Sequence, residues 1–283
     1  MRNTDERGDF LAQMAAFSHE RVRTARAARP ESDLLRHALA TEKPAALRLT
    51  GGFDLIAELK LRSPAAGRLK GDDEDVVARV SGYARAGACA VSVLTEPSRF
   101  EGSLAHLSAA AAALQPLAVP AMRKDFLVDP YQVIEARAAG AGGVLVILRM
   151  LSDAEAATLI HQARELSLFV LIETFDERDI ERLHAMVSAL GGAGLLAGVN
   201  SRDLATLQVV PSRLERLAPL LPGSIPRVAE SGVGSAEDAR RLARAGYDLA
   251  LVGSALMREV DPEALAQTML RAGRDARPRS RSA

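Results

Sequence analysis

The sequence predicts an α/β fold, a (β/α)8 TIM barrel with an N-terminal helical extension. Three observations predict it. Between about Leu55 and Leu256, eight short apolar runs alternate with amphipathic segments at helical spacing. Each run is apolar throughout instead of alternating with polar residues, which suits strands covered on both faces, as in a parallel sheet. No linker interrupts the alternation, so one closed barrel is more economical than two doubly wound domains.

The elements follow in order. Residues 1–45 are helical in pattern, with "FLAQMAAFSHERVRTARAA" and then "ESDLLRHALATE", and are expected to cap the barrel or fold over its top. The barrel is expected over residues 46–270. Its runs are "LIAELK", "CAVSVLTE", "LAVPAMRKD", "GVLVILR", "LFVLIET", "GLLAGVN", "PRVAESG" and "LALVGS". Three stretches share one design: "ARAGACAVSVL", "ARAAGAGGVLVIL" and "ARAGYDLALVG". Each reads as a helix end, a glycine suited to the left-handed cap, a short link and a strand. Ser152 with Glu155, and Ser235 with Asp238, have the spacing of capping boxes and mark helix starts. The last residues, 271–283, "RAGRDARPRSRSA", are polar and basic and are expected to be a disordered tail.

The chain has 283 residues, long enough to bury a substantial core. Its 36 Lys and Arg balance 36 Asp and Glu, and aromatics are only 4%, so no basic footprint or stacking platform points to nucleic acid. No apolar run approaches the roughly 20 residues of a membrane span, and "MRNTDERGDF" lacks the character of a signal peptide. A cytoplasmic location is expected. The single cysteine, Cys89, excludes an internal disulfide and a multi-thiolate metal site, and in "GACAVSVL" it reads as a small buried residue.

Polar residues concentrate where the apolar runs stop, the end at which barrel enzymes place their active sites. The first run ends in Glu58 and Lys60, which at i, i+2 share one strand face. The third ends in Lys124 and Asp125, the fifth in Glu173, the sixth in Asn200 with Arg202, and the seventh in Glu230 and Ser231. Any one of these fits a structural ion pair equally well; their recurrence favours chemistry. Gly232 and Gly234 in "ESGVGS", with Gly253 and Ser254 in "LVGSALM", follow the seventh and eighth runs, where barrel loops often bind phosphate through backbone N–H groups. The alternative for these glycines is a tight turn or helix cap. The five histidines show no ligand spacing, and no dinucleotide fingerprint follows the first strand.

Six stretches in this order, "IAELKLRSP", "SVLTEPSRFEGS", "RKDFLVDPYQVIEARAAGA", "GVNSRDLATL", "VAESGV" and "LVGSALMR", closely resemble indole-3-glycerol phosphate synthase of tryptophan biosynthesis. The likeness covers about Leu55 to Arg258. It implies conversion of 1-(o-carboxyphenylamino)-1-deoxyribulose 5-phosphate, a small sugar phosphate, into indole-3-glycerol phosphate with release of carbon dioxide and water, and no metal or organic cofactor. By the same resemblance Lys124 is the general acid that protonates the substrate carbonyl. Glu173 is the first choice for the base and Glu58 the second carboxylate, while Lys60 meets the phosphate and donates in the dehydration. The resemblance places Asn200 and Arg202 at the anthranilate portion and Glu230 and Ser231 in the polar floor. Gly232, Gly253 and Ser254 fall to the phosphate, Ser63 to the substrate-binding set, and Phe100 and Phe126 to the aromatic ring. A monomer is expected, with other tryptophan-pathway enzymes as alternative partners.

The sequence departs from the family in the loop after the first run. Leu61 stands where a basic residue is common, and "SPAAGRL" carries alanines in place of polar residues. Arg62 or Arg68 is expected to supply the missing charge. Arg123 and Lys60 are expected to lie near Lys124 and, with partial burial, to lower its pKa, against an offset from Glu58 or Glu173. Three other readings remain open. An aldose–ketose isomerase needs an acid/base pair of aspartate or cysteine at strand ends, and none is visible. An aldolase would use Lys124 as a Schiff base. A sugar-phosphate-binding barrel or pathway scaffold would not need Lys60, Lys124 and Glu173 together.

Overall fold

The computed structural model describes residues 10–64, 67–70, 74–203, 206–210 and 212–277. Every apolar run forms a strand: β1 (Asp54–Leu59), β2 (Ala90–Leu94), β3 (Ala121–Lys124), β4 (Gly143–Ile147), β5 (Phe169–Thr174), β6 (Leu195–Asn200), β7 (Arg227–Glu230) and β8 (Leu249–Val252). All are parallel and pair in chain order, and the barrel closes where β1 meets β8, from Asp54↔Leu249 to Ala57↔Val252.

Strand alternation divides each run between two apolar compartments. Ile56 of β1 faces the barrel interior with Met122, Leu145, Leu171 and Leu249. Its neighbours Leu55 and Ala57 face outward, where Val91, Val144 and Ile172 also meet the surrounding helices. Because neither face of the sheet meets water, the runs contain no polar alternation until they reach the carboxyl mouth.

The extension forms α1 (Phe10–Ala28) and α2 (Glu31–Ala40). The barrel helices are α3 (Val76–Arg85), α4 (Leu104–Leu114), α5 (Pro130–Ala138), α6 (Asp153–Glu165), α7 (Glu177–Leu190), α8 (Arg213–Leu217), α9 (Ala236–Arg244) and α10 (Pro262–Ala276). After β6 the chain makes a long loop, pinned by the bridge Arg202↔Val209, before the short α8.

The repeated glycines do what their placement predicts. Gly87, Gly140 and Gly246 have φ of +99°, +86° and +98°. At Gly87 the N–H donates to Ala84 O while Ala88 N–H reaches back to Tyr83 O, the paired bonds of a Schellman end. Helix α6 ends in the same way, with Ser167 N–H donating to Arg164 O and Leu168 N–H to Ala163 O, but Ser167 holds φ +60°. Left-handed backbone costs a residue with a Cβ about 1–2 kcal/mol, against about 0.4–1 kcal/mol of extra unfolded-state entropy for glycine. Ser167→Gly is therefore expected to stabilise the chain by about 0.5–1 kcal/mol, read as a rise in Tm of about 1–4 °C by calorimetry.

Ser152 and Glu155 form the full reciprocal capping box. Ser235 caps α9 by accepting the Asp238 N–H, but the Asp238 carboxylate turns to Gly234 N–H (3.0 Å) and the Ser235 hydroxyl (2.8 Å) instead of the N-cap backbone.

The expected disordered tail starts too early. Residues 271–276 continue α10, because Met269, Leu270, Ala272 and Gly273 bury one face of that helix. Two basic residues of the stretch are anchored: Arg274 donates to Phe53 O (3.1 Å) and to Asp54 (3.1 Å), and Arg277, just past the helix, pairs with Asp248. The rest of the tail, 278–283, and residues 1–9 of the extension lie outside the described residues.

Candidate active site

Helix α1 lies across the carboxyl mouth of the barrel. Ser18 Oγ donates to Phe126 O at 2.6 Å, and the Arg21 guanidinium reaches Asp125 at 2.7 Å and Glu96 at 3.4 Å, just beyond the ends of β3 and β2. Beneath it opens a cavity of about 390 Å³, within the range of small-molecule sites. The residues that the resemblance assigned to the substrate line it: Glu58, Lys60, Ser63, Phe100, Lys124, Phe126, Glu173, Asn200, Arg202, Glu230, Ser231, Gly232, Gly253 and Ser254.

Four strands supply the charged floor. Lys60 Nζ lies 2.6 Å from Glu58 Oε1. Lys124 Nζ stands between two carboxylates, 3.4 Å from Glu173 Oε2 and 3.5 Å from Glu230 Oε2. The carboxylate residues are almost wholly buried, Glu58 and Glu173 at 2% exposure and Glu230 at 1%, so their charges act at low local dielectric.

That arrangement reverses the expectation for Lys124. Burial by itself would lower the pKa of its ammonium, but Glu173, Glu230 and Glu58 together more than offset burial and hold it above the usual lysine range. Arg123 does not act on it as a near like charge, because adjacent residues of a strand face opposite sides. The Arg123 guanidinium lies outside the barrel wall, donating to Thr95 Oγ1 (3.1 Å), Gln132 O (2.7 Å), Glu135 (3.0 Å) and Asp125 (3.1 Å). Lys60 is held by Glu58.

The carboxylates differ among themselves. Burial would raise the Glu58 pKa, yet Lys60 and Lys124 outweigh it and keep Glu58 below the ordinary glutamate range. Glu230 goes the other way: burial and then the adjacent Glu173 charge push it well above that range, against the pull of Lys124. The floor therefore holds one firmly ionised carboxylate and one that retains its proton more readily.

The glycine turns take specific forms. Ser231 and Gly232 are both left-handed, at φ +66° and +69°, and the Ser201 hydroxyl donates to Ser231 O at 2.9 Å. A Cβ on Gly232 would also lie 2.7 Å from Val209 Cγ1. Gly253 has no unusual φ; it is glycine for space, since a Cβ there would stand 2.2 Å from Glu58 Oε1. Asn200 Oδ1 accepts the Arg202 N–H (2.9 Å), and the Arg202 side chain donates to Leu207 O (2.6 Å), which ties both to the loop after β6.

Arg62 and Arg68 do not line the cavity. They form a two-residue ladder in the loop after β1, and both guanidiniums meet Glu101, at 3.0 and 3.2 Å. A carboxylate at the end of the neighbouring loop holds both at the rim. Ala65 and Ala66 lie outside the described residues. Cys89 is partly buried with Sγ against Leu55 O at 3.3 Å, and burial pushes its thiol pKa up, consistent with a packing role.

Sequence reasoning missed Phe10. Its ring packs edge-on against Phe126 at 5.8 Å between centroids, and Phe100 completes the cluster at 6.0 Å from Phe126. The only signal was an aromatic at the start of an amphipathic helix already expected to cover the barrel. Pro64, Val209 and Val233 also line the cavity from loops whose paths the sequence pattern did not trace, and Arg258 lines it from the end of the short helix Ser254–Arg258 that follows β8.

A closed barrel with ion-paired lysines and carboxylates at one end of a cavity, and aromatic rings at its lid, belongs to the class of barrel enzymes that work by acid–base catalysis on small substrates. The family model for indole-3-glycerol phosphate synthase matches residues 10–269. An indole-3-glycerol phosphate synthase of Nocardioides sp. (strain ATCC BAA-499 / JS614) is 45% identical over 218 residues, 77% of this chain and 80% of the relative. That of Mycobacterium avium (strain 104) is 38% identical over 267 residues, 94% of this chain and 91% of the relative. The chain belongs to the indole-3-glycerol phosphate synthase family, the carboxy-lyases of tryptophan biosynthesis.

Solved structures of more distant proteins share the fold alone. Thiamine phosphate pyrophosphorylase from Pyrococcus furiosus has a TM-score of 0.58 at 16% identity, covering 79% of this chain and 96% of its own. For 3-hexulose-6-phosphate synthase from Salmonella typhimurium the TM-score is 0.59 at 14% identity, covering 79% and 99%. Among the described residues no helix is long and apolar enough to cross a membrane.

Proposed function

We propose that this chain closes the indole ring of 1-(o-carboxyphenylamino)-1-deoxyribulose 5-phosphate in the cytoplasm, with Lys124 as the group that receives the developing negative charge on the substrate carbonyl. The observation that carries this is the position of Lys124 Nζ, between Glu173 and Glu230 and facing the cavity. Attack of the ring carbon on the carbonyl turns its oxygen into an alkoxide, which a buried ammonium stabilises and then protonates. Loss of carbon dioxide restores electrons to the ring, and loss of water completes the indole. Phe10, Phe100 and Phe126 supply the apolar wall against which the anthranilate ring packs, and that confinement contributes a large share of the rate.

Loss of carbon dioxide rearomatises the ring without releasing a proton, so Glu173 acts in the next step: it takes the proton that leaves the methylene beside the ring nitrogen as the hydroxyl departs as water and the indole double bond forms. The Lys60–Glu58 pair serves the dehydration, Lys60 donating to the departing hydroxyl, and Lys60 also faces the phosphate end with Ser231, Gly232, Gly253 and Ser254. Asn200, Arg202 and Ser63 hold the substrate from the flanking loops. In this division residues 1–45 lid the site and 46–270 carry the chemistry.

Steady-state kinetics test the assignment. Glu173→Gln and Glu58→Gln are each expected to lower kcat about 10²- to 10⁴-fold with KM changed far less, as for groups that move protons in the transition state. A rise in KM with kcat intact for either variant would make that residue a binding group.

A further inference from the structure

Gly198 sits inside β6, at an interior-facing position two residues before Asn200, and is paired in register with Glu173 on β5. A Cβ built on it would stand 2.3 Å from Glu230 Oε1, far inside contact distance, while its next nearest neighbours, Leu171 Cδ1 and Ile172 O, are at 3.0 and 3.3 Å. Glu230 Oε1 is buried without a hydrogen-bond partner among the described residues, whereas Oε2 of the same carboxyl lies 3.5 Å from Lys124 Nζ. One oxygen of Glu230 thus rests against the bare Cα of Gly198, and that contact leaves the other directed at the lysine.

We propose that Gly198 is a positioning residue for the ring-closing reaction: its missing side chain seats the Glu230 carboxyl beside Lys124 and Glu173. The inference rests on the synthase reading and adds to it a residue that touches no substrate. A methyl group at 198 has to displace the Glu230 carboxyl, which is the movable end of a flexible side chain, whereas Leu171 Cδ1 and Ile172 O have to give by only a few tenths of an ångström, so the largest rearrangement falls on the charged floor. Gly253 stands in the same relation to Glu58, although a Cβ there would also come within 3.1 Å of Glu58 Cβ, leaving that side chain less room to yield.

The experiment is a double-mutant cycle of wild type, Gly198→Ala, Glu230→Ala and the double variant, with kcat, KM and Tm measured for each. Wild-type turnover establishes the reaction first; should it fail, the Tm values still test the seat. With Glu230 present, Gly198→Ala is expected to lower kcat about 10- to 100-fold with KM within about threefold, the scale of a misplacement near 1 Å. In the Glu230→Ala background the same change is expected to alter kcat less than about threefold, and any drop in Tm caused by Gly198→Ala should be recovered. If the single variant does not fold, a folded double variant supports the seat. Equal losses of kcat or Tm in both backgrounds, an unfolded double variant, or unchanged kcat for Gly198→Ala or Glu230→Ala overturns it.

Discussion

Replacing Lys124 by alanine is expected to lower kcat by about 10³-fold, the middle of the range for a positioned general acid. The loss should appear mainly in kcat, because the phosphate and aromatic portions of the substrate keep their own contacts. The three carboxylates that hold the Lys124 pKa above the lysine range also set its pH behaviour. Negative neighbours favour the charged form, so the proton is lost later than in free lysine, whose pKa is about 10.4. No fall in wild-type kcat from deprotonation of Lys124 is therefore expected below about pH 10. An ammonium so stabilised is a weak acid towards a neutral carbonyl. Its first contribution is electrostatic, and the proton moves once the oxygen has become alkoxide-like. A basic limb near neutrality that disappears in Lys124→Ala would show instead that the lysine pKa is depressed during turnover.

The adjacent residue should fail in a different way. Arg123 is 3% exposed and binds Asp125, Glu135, Thr95 and the Gln132 carbonyl, which fastens the end of β3 to α5 and the loop after β2. Arg123→Met removes the guanidinium and leaves Asp125 with Arg21 as its remaining ion-pair partner. Breaking a buried ion pair on one side costs about 3–5 kcal/mol, so Tm should fall by about 6–20 °C. At a temperature where the variant is folded, kcat should fall less than about tenfold, far short of the loss for Lys124→Ala. Calorimetry with kinetics below the transition checks both values. A variant of unchanged Tm with kcat lost as in Lys124→Ala would place Arg123 in the chemistry.

The contrast between neighbours shows where the sequence was readable. Eight continuous apolar runs and the left-handed glycines at 87, 140 and 246 described a barrel because burial on both faces and helix termination are local demands. Charged residues at strand ends described its mouth for the same reason: little else tolerates Glu58, Lys124 and Glu173 at the end of a buried run. The direction of the Lys124 pKa shift was not readable, since it depends on distances to carboxylates on β1, β5 and β7, far apart in sequence. The opposite facing of Arg123 and Lys124, by contrast, follows from strand alternation alone. Phe10 entered the site by tertiary packing of α1, and Gly198 looked like one small residue in an apolar run until the Glu230 carboxyl was found against it. In the tail, Arg274 and Arg277 resembled solvated charges because their partners, Asp54 and Asp248, lie at the start of β1 and just before β8.

The most direct test of the account follows indole absorbance with time when 1-(o-carboxyphenylamino)-1-deoxyribulose 5-phosphate is added to the wild-type chain and, in parallel, to folded Lys124→Ala. Rapid appearance of the indole chromophore with wild type, slowed about 10³-fold by the substitution, is the predicted result. Indole formation at equal rates in both would contradict the role of Lys124, and no indole from wild type would contradict the proposed reaction itself.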